Sequence, residues 1–171
     1  MDENLRTFLQ HHSNIKYSLF LKKLKQSIYT PIAQLNAFVH KSTEPLCFDD
    51  MKNERFDNIK IGDSWGGFFD CAWFKFTADI DNMQKNLVAV IDVGGEGCIY
   101  NKNGEVIQGI TNVLGMVDNF QTVKGKAVIP LDRIDTFNDG KVLFYADCGN
   151  NGKSGKSSGQ ARFKRADKVG S

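Results

Sequence analysis

Reactive side chains cluster at few points in this 171-residue sequence. Glu96 stands between glycines in Gly94-Gly95-Glu96-Gly97. An acid in such a turn can accept a hydrogen bond from a sugar hydroxyl or cap local backbone amides, and capping is the commoner use. As a dinucleotide fingerprint the run fails, because Tyr100 fills the third glycine position and no helix pattern follows. A phosphate loop anchored on Gly155, Lys156 and Ser157 would need glycine where Asn150 stands, and a helix where a strand pattern follows. His11, His12 and His40 have no carboxylates at zinc-ligand spacing, and adjacent helical residues such as His11 and His12 point in different directions. No nucleophile elbow occurs, and no pair among the 20 Asp and Glu is singled out for glycoside hydrolysis.

Aromatic rings are the richer resource, with 13 Phe, 4 Tyr and 2 Trp. Trp65, between Ser64 and two glycines, is the best candidate for an exposed platform that stacks on a sugar, although packing is the favoured use of a large ring. Trp73 shares a strand face with Lys75 and Thr77, which suits a place beneath the helices or at an inter-domain contact. Arg162, Lys164 and Lys168 alternate onto one face of the last strand pattern. A solvated edge that discourages edge-to-edge pairing explains them better than a nucleic-acid patch.

Two periodicities organise the chain around these residues. Leu5, Phe8, Leu9 and His12, then Tyr17, Phe20, Leu21, Leu24 and Ile28, recur at helical spacing and predict amphipathic helices ending near Pro31. From about Phe56 the period becomes two. Ala72, Phe74, Phe76, Ala78 and Ile80 share one face of a predicted strand, and residues 87–92 are apolar on both faces, as in a covered central strand. Asn103-Gly104 predicts a type I′ hairpin, and further strands are expected at 126–131, 141–148 and 161–169. Short strands without helical crossovers predict a mainly β chain built as an antiparallel β-sandwich. Residues 1–55 are expected to be a helical segment and connector, with no element assigned over 31–55, and 56–171 the sandwich, the two forming one compact unit.

A net charge of +2 points to neither nucleic acid nor membrane. The polar, acidic start is unlike a secretory signal, no apolar run reaches the roughly 20 residues of a membrane span, and the four cysteines lack close pairing. A cytoplasmic location with free thiols is expected.

Residues 62–80, 90–112 and 159–169 carry, in order, a Trp-Gly turn, a Trp-Phe strand, an acid in a glycine turn and an Asn-Gly hairpin leading to Gln108 and Gly109. Over about Tyr29 to Lys168 this succession resembles the N-terminal region of bacterial and of vacuolar or cytosolic-type α-mannosidases, glycoside hydrolase family thirty-eight. The resemblance implies a galactose-binding-like sandwich of jelly-roll type, with N-terminal helices, beside a downstream catalytic barrel that holds zinc and hydrolyses α-mannosides with retention. No catalytic residue transfers to this chain, and no cofactor is expected in it. Its expected partners are that catalytic domain, other copies in a homo-oligomer and a mannose-containing glycan. Trp65, Trp73 and Glu96 are the residues expected at carbohydrate or inter-domain contacts. The rival reading is an independent carbohydrate-binding module; a complete enzyme is not expected.

Overall fold

A computed structural model describes residues 12–21, 23–24, 29–81, 86–111, 115–117, 121–123, 128–134, 140–150, 161–162 and 165–170. The chain divides into two compact units, Met1–Thr30 and Pro31–Ser171. In the first, residues 12–21 (α1) and 23–24 are helical, as the three- and four-residue spacing predicts, and Tyr17, Phe20 and Leu24 are exposed.

The second unit is built almost wholly of strands. They are β1 (Pro31–Ala33), β2 (Asn36–Ser42), β3 (Asp57–Asn58), β4 (Ser64–Gly66), β5 (Cys71–Asp79), β6 (Val88–Asp92) and β7 (Glu96–Tyr100). There follow β8 (Val106–Thr111), β9 (Gly115–Val117), β10 (Gln121–Val123), β11 (Val128–Pro130), β12 (Lys141–Gly149), β13 (Ala161–Arg162) and β14 (Arg165–Gly170). A short helix α2 (Phe48–Met51) follows β2, and a 3₁₀ turn follows β11. A six-stranded sheet runs β3-β2-β5-β12-β7-β8, and a four-stranded sheet runs β1-β14-β6-β11. β9 pairs with β10 and β4 with β13, and the pairings are antiparallel.

Alternation decides which side of each strand is dry. Ala72, Phe74, Phe76 and Ala78 of β5 meet Val142, Phe144, Ala146 and Cys148 of β12 on the inner face. Ala89 and Ile91 of β6 and Ile129 of β11 close the same core from the four-stranded sheet. The strand read at 87–92 is interior, between β14 and β11, and Val90 on its other face is buried as well.

Three local expectations differ. Residues 31–55 contribute β1, β2 and α2, so the β-rich unit starts at Pro31; Ala37 and Val39 supply too short an alternation to stand out. The hairpin between β7 and β8 has a wider loop than a two-residue turn. Gly104 alone in it takes positive φ, at 88°, and Asn101, 2% exposed, accepts amides of Asn103 and Glu105 on its Oδ1 and donates to the Glu105 carboxylate. The strand read at 161–169 is two strands in different sheets, and β14, paired by both β1 and β6, is not an edge.

Phe76 and Phe144 are fully buried, with ring centroids 4.9 Å apart. Phe144→Ala should cost about 3–5 kcal/mol through lost transfer energy and a cavity. Val106→Ala, at a 61% exposed residue, should stay within about 0.5 kcal/mol. Urea unfolding checks the contrast, and equal midpoints for the two variants would contradict this core.

Candidate functional site

Each face of the six-stranded sheet is treated differently. On the outer face, Trp73 of β5 lies against Phe48 of α2 and Tyr100 of β7, at ring centroids 5.9 and 5.0 Å, and its indole N–H donates to the Leu46 carbonyl at 3.0 Å. Phe48 also stacks on Tyr100 and meets Tyr145 edge-on. Gly104 permits this closure, because a Cβ there would stand 2.6 Å from the Phe48 ring. Residues 46–51 thus cover the middle of the outer face, and Trp73 is left 2% exposed.

Trp65 is a correction to the expected stacking platform. It is 1% exposed, its indole N–H donates to the Val93 carbonyl at 2.6 Å, and its ring meets Phe74 edge-on at 5.4 Å. Its ring is spent on the core, as is that of Trp73 on the outer cluster. Neither can lie flat against a sugar or another domain while these contacts hold. Glu96 has a different position: it opens β7, is partly exposed, and accepts the Thr111 hydroxyl at 3.2 Å.

Around Glu96 the outer face is open. Glu96, Gly149, Asn150 and Phe69 line a shallow cavity of about 230 Å³. Gly149 pairs with Glu96 across β12 and β7, and a Cβ added at Gly149 would meet nothing within 4 Å. Phe69 enters from the turn between β4 and β5, with φ at 66° and 80% of its surface exposed. The left-handed region costs an L-residue roughly 1–2 kcal/mol, and this ring recovers little of that by burial. The backbone is instead strapped in place. The Phe69 amide donates to the Asn150 carbonyl at 2.8 Å, the Asn150 amide to Asp70 at 3.0 Å, and the Asn150 side chain to Gly67 at 2.7 Å, while Asp70 accepts the Gly67 amide at 2.7 Å.

Next along the same face of β12 is Asp147, paired with Trp73 on one side and Cys98 on the other. Burial raises its carboxyl above the usual value, and no hydrogen bond or ion pair reaches it among the described residues. The Cys71 thiol is pushed up by burial and then by Asp147, Asp70 and Glu44, and the buried Cys148 thiol is held well above its usual range. These thiols are therefore poor nucleophiles. Among the described residues, no three His, Cys, Asp or Glu side chains are placed to hold a metal. The open end can offer a ring face and a hydrogen-bond-accepting carboxylate.

Of Trp65, Trp73 and Glu96, the structure brings only Glu96 to this cavity. Sequence reasoning passed over Phe69, Asp147, Gly149 and Asn150. An aromatic pair between Gly67 and Asp70 was a usable signal for a displayed ring. The strand at 141–148 also put Asp147 on the face of Tyr145. Gly149 ends β12 and Asn150 straps the turn, whereas in the sequence Asn150 stands out only as the missing glycine of a phosphate loop.

With this geometry in view, the model of a protein family described as α-mannosidase, jelly roll domain, matches residues 30–168. The chain belongs to that family. The jelly-roll domain spans nearly the whole β-rich unit, and the resemblance drawn from the Trp-Gly turn, the Trp-Phe strand and the glycine-flanked acid holds. No curated protein matches the chain.

Asp147 generates a prediction with a definite sign. Its folded pKa lies above the usual 3.8, so the folded domain holds this proton more tightly than the unfolded chain does. Its contribution to stability falls as pH rises from about 3.8 through the raised value. Asp147→Asn should therefore be more stable than the native domain at neutral pH, with the gap closing below pH 3.8. Tm measured against pH checks this, and a gap of constant size would assign the effect to packing instead.

Proposed function

We propose that this chain is the non-catalytic N-terminal accessory domain of an α-mannosidase, whose downstream catalytic domain hydrolyses terminal α-mannosides with retention. The observation that carries the reading is the family match over residues 30–168.

The family resemblance implies zinc. The described residues do not fit it, since no three potential ligands converge among them; the resemblance itself puts the zinc in the downstream catalytic domain. What this domain supplies is a scaffold, with the inner face of the six-stranded sheet packed in the core and the middle of its outer face covered by Phe48, against which a barrel can be held. Contacts with that barrel and between copies in a homo-oligomer fall to surface groups, Glu96 among them, because both tryptophans are enclosed. A cytoplasmic setting agrees with the four cysteines, all of them free. No helix among the described residues is long and apolar enough to cross a membrane.

The test is deletion of residues 1–171 from the full-length protein, followed by assay of soluble yield, assembly and hydrolysis of a chromogenic α-mannoside. The expected result is loss of folded enzyme or at least a tenfold drop in activity. An unchanged enzyme would overturn the accessory role.

A further inference from the structure

We propose that the cleft formed by Phe69, Glu96 and Gly149, with Asn150 as its positioning residue, is a subsite for a single pyranose ring. The site is additional to the accessory role and stands or falls separately from it. Three independent features lead to it.

The first is the presentation of Phe69. A phenyl ring 80% exposed on a residue with φ at 66° satisfies neither packing nor backbone preference. Strain of this kind persists only where the surroundings over-determine it, and it gathers at ligand clamps. Here the surroundings are Asn150, itself 7% exposed, which accepts the Phe69 amide and donates to Gly67, and so fixes both ends of the turn. The turn could hold this shape with glycine at position 69 at no steric penalty. The ring is therefore an addition that the fold does not use.

The second is the absence of a side chain at Gly149. It lies directly across from Glu96, and its Cβ direction points into open space. A floor is thereby left between the Phe69 ring and the Glu96 carboxylate.

The third is the chemical match. A pyranose has an apolar C–H face that lies on an aromatic ring, and hydroxyls at its rim that donate to a carboxylate. The partly exposed Glu96 carboxylate, which accepts the Thr111 hydroxyl, is an acceptor group at the rim of the cleft. The cavity, at about 230 Å³, is smaller than the roughly 300–1,000 Å³ of pockets for drug-sized ligands. It therefore suits one ring at the end of a glycan better than an extended chain.

The experiment is titration of the ¹⁵N-labelled 171-residue chain with methyl α-D-mannopyranoside, and in parallel with glycerol, which carries hydroxyls but no ring face. Expected are saturable amide shifts at Glu96, Gly149 and Asn150 with the pyranoside and none with glycerol. A site with Kd near 10 mM is about nine-tenths filled at about 100 mM sugar. No saturable shift by that concentration, or equal shifts with glycerol, overturns the proposal. Phe69→Gly should weaken binding at least tenfold without lowering Tm, a combination that a purely structural role for the ring would not give. Gly149→Val should abolish the shifts while the rest of the amide spectrum is retained, and if it unfolds, Phe69→Gly decides alone. Native-like binding by Phe69→Gly would rule out this cleft. Binding that persists while deletion leaves the full-length enzyme unchanged would remove the accessory role and keep the sugar site.

Discussion

The indole N–H of Trp65 donates to the Val93 carbonyl at the centre of this domain, and much of the surrounding architecture follows from the bond. A buried donor without an acceptor costs about 1–3 kcal/mol, so the ring has one orientation that satisfies it. In that orientation its edge meets Phe74 and draws the three residues of β4 inward. Gly95 must then be a glycine, because a Cβ there would sit 2.9 Å from the indole and 2.8 Å from the Gly149 carbonyl. Chain leaving the buried Trp65 has to return to the surface within a few residues before it enters β5. The turn at 67–70 does this, and Asn150 ties it to the end of β12. The cleft with Phe69 and Glu96 is thus a surface consequence of a core contact.

The two faces of the six-stranded sheet divide the remaining work. The inner face packs Phe74, Phe76 and Phe144 against the four-stranded sheet and supplies the apolar area that holds the domain together. The outer face is closed over its middle by Phe48, Trp73, Tyr100 and Tyr145. Toward Gly149 it opens, and at the far end it carries the exposed Asp79 and Lys141. Asp147 lies at the boundary between these regions; burial raises its carboxyl, and the neighbouring Cys71 thiol is raised by its own burial and then by the Asp147 charge. A domain arranged in this way is a support with a small recess at the end of its outer face, which agrees with an accessory place in an α-mannosidase.

Features carried by periodicity alone were legible in the sequence. The alternation of Phe74 and Phe76 with Trp73 and Lys75 assigned both faces of β5, and the two-sided apolar run at 87–92 marked β6 as an interior strand. Features set by contacts distant in sequence were not. Trp65 is buried against Phe74, Val93 and Gly95, none of them adjacent to it in sequence, whereas its local setting of serine and glycines suggests exposure. Asn101 organises its loop through a side chain enclosed by the fold, and Asn-Gly alone suggested a tighter turn. The split of the last strand into β13 and β14 depends on which sheet receives each half, a choice that alternation does not encode. Of Trp65, Trp73 and Glu96, only Glu96, singled out by its glycine context, lines the cleft, whereas Phe69 and Asn150 acquire meaning only through the hydrogen bonds of the turn they share.

Hydrogen exchange of the Trp65 indole proton, followed by NMR, bears most directly on this arrangement. If the indole is locked to Val93 inside the sandwich, it should exchange as slowly as the amides of Phe74 and Phe144, through global unfolding. An indole exchanging at the rate of a solvent-exposed tryptophan would contradict the account, because neither the buried anchor nor the cleft it holds open could then exist as described.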